Sequence, residues 1–139
     1  MHALPAILAV GFAALALPAQ AGDVEVTRQI IDEQIQAFLK DDAETAYSFA
    51  APGVQARFPD KDKFFEMVKK NYQPVYHPGN YAFGRSKTIG DGEMILHEVI
   101  ITGTDGKEWK ALYKMVRQPD GTYRIGGVAI IPETSSKGI

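Results

Sequence analysis

Cysteine is absent from the 139 residues, which excludes a disulfide framework, a thiolate metal site and a cysteine nucleophile. Histidine occurs three times, as His2, His77 and His97, and tryptophan once, as Trp109. No Asp, Glu, Lys or Arg precedes Asp23. Beyond that point the signs are interspersed, and the formal net charge of −2 creates no field that would steer nucleic acid or an anionic membrane. The densest basic group, Lys61, Lys63, Lys69 and Lys70, alternates with Asp60, Asp62 and Glu66. That is the pattern of a solvated helix face, so neither nucleic acid nor a membrane is an expected partner.

The uncharged first segment reads as an address. Met1–Ala21 holds an apolar stretch, Ala6 to Leu17, flanked by Pro5 and Pro18. It is too short for a comfortable bilayer span. It ends in Ala19-Gln20-Ala21, the small-x-small pattern a signal peptidase accepts. Its only departure is an n-region with no Lys or Arg. The expectation is a signal peptide over 1–21 and an exported chain, periplasmic or secreted, folding as one domain over 22–139.

The remainder divides into a helical half and a strand half. The spacing of Val24, Ile31, Ile35, Phe38 and Leu39 predicts a helix from Asp23 to about Lys40 with one buried side. Asp41 with Glu44 three residues on resembles a capping box. It opens a second helix over Ala43, Ala46, Tyr47 and Ala50, which Pro52-Gly53 ends. A third begins near Asp60 and carries Phe64, Phe65, Met67 and Val68. After Tyr72 the period changes to two, and strands are expected over 81–88, 93–102, 108–118 and 122–131. Asp91-Gly92, Asp105-Gly106 and Asp120-Gly121 stand between them as hairpin signals. In the fourth strand Tyr123, Ile125, Gly127, Ala129 and Ile131 share one phase, and Gly126-Gly127 suggests a bulge or sharp bend. Helices followed by a curved antiparallel meander make an α+β domain.

The ordered set Asp41-Asp42-Ala43, Ala50-Ala51-Pro52, Met67-Val68, Tyr72-Gln73-Pro74-Val75, Phe83-Gly84, Tyr113 and Asp120-Gly121-Thr122-Tyr123-Arg124-Ile125 resembles DUF4864, a family of exported bacterial domains of unknown function in the NTF2-like superfamily. Tyr123 stands where that pattern has Trp. The resemblance spans about 30–131. It implies a cystatin-like cone of three N-terminal helices on a curved four-stranded sheet, and it implies no activity. NTF2-like enzymes work between the helices and the concave sheet with an Asp or Glu, often beside a His or Tyr.

Inward-facing polar residues are therefore the candidates. In the second strand either His97 or Glu98 points inward, not both. His97 or Glu98 as general base with Tyr113 as proton donor would suit an isomerase or dehydratase; a histidine packed in a half-buried strand is the plainer alternative. Asp41, Asp42 and Glu44 serve a helix start better than a pocket. With only His77 and His97 beyond the leader, and no His-x-His or Glu-x-x-His, no metal site is expected. Gly84, Gly90 and Gly92 lack the Lys-Ser/Thr and helix of a phosphate loop, and nothing signals a cofactor. The aromatic residues remain. Tyr72, Tyr76, Trp109 and Tyr113 are candidates to line a cavity for a small apolar or amphipathic ligand. Tyr72 to Pro78 is expected as an extended segment at the rim, with Arg57 and Arg85 suited to a carboxylate. The leading reading is non-catalytic binding of such a ligand, or of a protein partner, in or at the rim of the cone. An acid–base enzyme is the second, and a homodimeric interaction module joined through the outer sheet face around Leu112 is the third.

Overall fold

Thr27, Ile31, Gln34, Ile35 and Phe38 recur at intervals of three and four, and all five are buried, so they form the stripe by which the first helix grips the sheet. The computed structural model describes residues 20–133. The expected tail, 134–139, and the expected leader, apart from the backbone of its last two residues, lie outside the described residues. The elements are α1 (Gln20–Leu39), α2 (Ala43–Ser48), α3 (Pro52–Arg57), α4 (Lys61–Asn71), α5 (Gln73–Tyr76), β1 (Asn80–Ile89), β2 (Met94–Thr102), β3 (Glu108–Arg117) and β4 (Tyr123–Pro132). The strands form one antiparallel sheet in the order β1-β2-β3-β4. Ile31, Ile35 and Phe38 of α1 share a core with Ile95, Val99 and Ile101 of β2 and Ala111, Tyr113 and Met115 of β3. Among the described residues no helix is long and apolar enough to cross a membrane.

Among the described residues five helices replace the expected three, for local reasons. Pro52 does not merely stop α2. It occupies the first turn of α3, where a missing N–H and a preset φ are favourable. The segment after Tyr72, expected to be extended, winds into the single turn α5, again with proline in its first turn. The helix start after α1 shifts by one residue. Asp42, not Asp41, is the N-cap, its carboxylate accepting from the Thr45 N–H at 3.2 Å. Asp41 takes a left-handed backbone (φ 56°) that turns the chain, and its carboxylate accepts from the Tyr76 hydroxyl. That hydrogen bond, with burial, pushes the Tyr76 phenol up to about 12.

Two further polar links bear on the sheet: one fixes α1 on β1, and the other ties β4 to the turn between β1 and β2. Tyr81 of β1 donates to Asp32 at 2.5 Å and accepts from the Gln36 amide at 2.8 Å. Tyr123 donates to the carbonyl of Gly92. A side chain at Gly92 would place Cβ 3.1 Å from both the Tyr123 hydroxyl and Arg117, at a φ of 94°, so glycine is required there.

The phase of β4 differs from expectation. Met115 pairs with Ile125 but Lys114 pairs with Gly127, so Gly126 is an inserted residue and the strand changes face at the bulge. Beyond it Val128 pairs with inward Tyr113 and Ile130 with inward Ala111; both pack on the core. Ala129 and Ile131, expected inward, are exposed. A Cβ at Gly126 would come within 2.7 Å of Val116 Cγ2.

Candidate functional site

Between α3, α4 and the second half of β4 lies an open cavity of about 630 Å³, a size that suits a small ligand. Phe38, Phe58, Phe64, Met67 and Val68 line it from the helices, and Ile125 to Ile130 from β4. Polar groups are few: Gln34 on α1, Arg57 at the end of α3, and Asn71 and Tyr72 at the end of α4. Among the described residues Arg57 is the only charged one in the lining. Gln34 is 3 % exposed, and its amide nitrogen donates to the Ala46 carbonyl at 3.1 Å. That bond fixes the amide orientation, with the oxygen as its acceptor.

Of the four aromatic residues expected to line a ligand site, Tyr72 does so. Tyr76 is buried against Phe38 and Phe65, at centroid distances of 6.4 and 5.6 Å, as part of the helical core. Trp109 is partly buried on the inner phase of β3, opposite Pro132, and is not in the lining. Tyr113 is fully buried.

His97 and Tyr113 are direct cross-strand partners on the inner face, so the structure brings the expected base and donor together. They meet in the core rather than in the cavity: His97 is 1 % exposed and Tyr113 fully buried. His97 Nε2 lies 2.7 Å from Thr27 Oγ1. The Thr27 hydroxyl has one proton, and the Asp23 carbonyl in the preceding turn of α1 accepts it at 2.8 Å. The proton between histidine and threonine is therefore on Nε2, which leaves Nδ1 as an unprotonated acceptor with no partner among the described residues. Burial and the nearby Arg28 push His97 down to about 4, so it is neutral at pH 7. The Phe83 ring meets it edge-on at 6.3 Å. The Tyr113 hydroxyl also lacks a partner among the described residues, and burial raises its pKa.

Glu98 points outward, where Arg85 grips it through Nε (3.2 Å) and Nη2 (2.8 Å) and Lys110 stands 3.6 Å away. The Arg85 hydrogen bonds hold it down at about 2. It is an anchored surface carboxylate, and Arg85 serves it rather than the cavity. Among the described residues no cluster of three His, Asp or Glu could hold a metal.

A core hydroxyl without a partner predicts the result of deleting it. Tyr113→Phe is expected to fold with stability unchanged or raised by about 1 kcal/mol, because it removes a desolvated hydroxyl and leaves no other group unpaired. Urea denaturation checks this, and a loss above about 1 kcal/mol would mean that the hydroxyl is hydrogen-bonded.

Sequence reasoning missed Gln34, Asn71 and the wall formed by β4. A glutamine on the apolar phase of α1 was the available signal for the first. The paired glycines were the signal for the wall, but a glycine pair does not say which face the strand takes beyond it.

The model of a domain of unknown function, DUF4864, matches residues 20–138. The chain belongs to the DUF4864 family. No curated protein matches it. Among solved structures the DUF4864 fold is similar to a protein from Catenulispora acidiphila in complex with S-DNPA. They share 13 % identity with a TM-score of 0.54, over 84 % of this chain and 98 % of that one. It is also similar to Aln2 from a Streptomyces species, at 16 % identity and a TM-score of 0.51, over 87 % and 97 %. These likenesses give the DUF4864 chain an NTF2-like fold.

Proposed function

We propose that this DUF4864 domain is exported and binds, without chemistry, an amphipathic molecule with an apolar body and an anionic end. The observation that carries the reading is the lining of the cavity: aromatic and aliphatic side chains, and Arg57 as its one charge. Among the described residues no carboxylate and no imidazole lines it, so an acid–base pair would have to come from His97 and Tyr113, which are buried in the core and outside the lining. The uncharged leader with its Ala19-Gln20-Ala21 end supports export. Asp23 meets the Thr27 hydroxyl through its carbonyl and Tyr123 through its carboxylate, at 2.8 and 3.3 Å, and cleavage after Ala21 would leave both contacts intact. The structural neighbour in complex with S-DNPA supports a ligand-binding use of this fold.

Dodecanoate is the probe. At a concentration of about 100 times its Kd it should stabilise the protein by about 2.7 kcal/mol, a rise of several degrees in Tm. Dodecanol, which lacks the charge, should bind more weakly, and Arg57→Gln should narrow the gap between the two. Val54→Trp, on the α3 wall, should abolish both by filling the space. No shift with either compound would overturn the reading.

A further inference from the structure

Six consecutive residues of β4, Ile125 to Ile130, line the cavity. Side chains of a strand alternate between faces, so one face cannot supply all six. Ile125, Val128 and Ile130 face inward, and Gly126 and Gly127 between them can line the cavity only through backbone atoms. β4 is the outermost strand next to β3, and its pairing shows which of its backbone groups face away from β3.

Glu133 N–H donates to the Glu108 carbonyl at 3.0 Å, so that pair exchanges ladder bonds. Antiparallel ladders alternate, which makes Ile131–Lys110, Ala129–Leu112 and Gly127–Lys114 the bonded pairs. Val128 and Ile130 therefore aim their N–H and C=O away from β3. Pro132 follows in the same phase, where a missing N–H harms no ladder. The outward position nearest the bulge on its other side is Ile125, and it is occupied. Its N–H donates to the Phe49 carbonyl and its C=O accepts from the Ala51 N–H, each at 2.8 Å, forming an isolated bridge with Ala50. The chain thus closes the edge at Ile125. Among the described residues it offers no partner to Val128 and Ile130.

Resting on the binding reading above, we propose that the occupant is an extended apolar peptide segment with a free carboxylate, added to β4 as a fifth strand. Val128 and Ile130 present two N–H and C=O sets about 6.7 Å apart, the repeat of an extended peptide. Their side chains point inward, so a strand laid beside them would direct alternate side chains toward the apolar space lined by Phe58, Phe64 and Met67. Main-chain bonds would supply affinity and the apolar lining selectivity, as in other strand-addition sites. Arg57 suits the terminal carboxylate.

The test uses fluorescein-labelled pentapeptides of valine and leucine, read by fluorescence anisotropy. The free-acid peptide should bind, and its C-terminal amide should bind about tenfold more weakly. N-methylation at alternate residues should weaken binding about tenfold in one phase and little in the other, because only one set of N–H groups faces the edge. Val128→Pro should keep the far-UV dichroism, since its N–H is outside the ladder, and lose about tenfold in peptide affinity. Equal tolerance of N-methylation in both phases would overturn strand addition, whether or not Val128→Pro folds. No binding of the free-acid peptide, where dodecanoate still raises Tm, would overturn strand addition and leave the cavity reading standing. No effect of either probe would remove both.

Discussion

Phe38→Ala is expected to destabilise the protein by about 3–5 kcal/mol, the usual loss for deleting a fully buried phenylalanine. Phe38 is 1 % exposed and sits where α1, α4 and α5 converge. Its ring lies 5.8 Å from Phe65 and 6.4 Å from both Phe64 and Tyr76. The carbonyl of the same residue lies 3.1 Å from His77 Nε2, so one position ties the end of α1 to α5 by side chain and backbone. The substitution removes the ring and keeps the carbonyl. Because Phe38 also lines the cavity, the void it leaves opens into the binding space and fills with water rather than remaining as vacuum. Urea denaturation measures the loss. A value below about 1.5 kcal/mol would show that the helices collapse onto the gap and that the aromatic cluster is plastic.

Acidification should act through His97. Its folded pKa of about 4 lies below the ordinary 6.5, so between these values the unfolded chain binds the proton and the folded chain does not. Stability then falls as pH falls. The loss begins near pH 6.5 and reaches about 3 kcal/mol at pH 4, at 1.36 kcal/mol for each unit of difference. The carboxylates with lowered pKa, Asp42, Glu98 and Asp120, add their own losses at lower pH, so the interval from 6.5 to 5 belongs mainly to the histidine. The physical cause is the site: protonating Nδ1 would bury a donor with no acceptor beside the cationic Arg28. His97→Gln, which cannot titrate, should flatten the stability profile between pH 6.5 and 5. An unchanged slope in that variant would assign the acid sensitivity to other groups.

The element order was legible because period and turn chemistry agreed: Asp-Gly at each hairpin, and apolar spacing of 3.6 before Tyr72 and of two after it. The extra helices were not. Pro52 and Pro74 can each end one helix or begin another, and only tertiary contacts choose. The inward phase of β2 was legible only as a choice between His97 and Glu98. Burial against α1 decides it for His97, and the Arg85 clamp holds Glu98 outside. For the cavity, residue types gave Tyr72 and Arg57. They could not give Val128 and Ile130, whose contribution is backbone geometry set by one inserted glycine. Trp109, Tyr76 and Tyr113 were natural candidates by chemistry, but an aromatic ring serves a core as readily as a cavity wall.

The bulge at Gly126 also separates the shape of the cavity wall from its chemistry. Gly126 has no partner of its own on β3, since Ile125 and Gly127 already pair with the consecutive residues Met115 and Lys114. Deleting it would leave Val128 opposite Tyr113 and Ile130 opposite Ala111, with the same side chains facing inward and a straighter strand. Deleting Gly127 instead gives the same sequence and therefore the same strand. Loss of Ala129, past the pair, would instead turn Ile130 outward and bring Ile131 in. The glycine pair is thus a point where evolution can adjust the curvature of the wall without rewriting its surface, while the residues after it carry a fixed count.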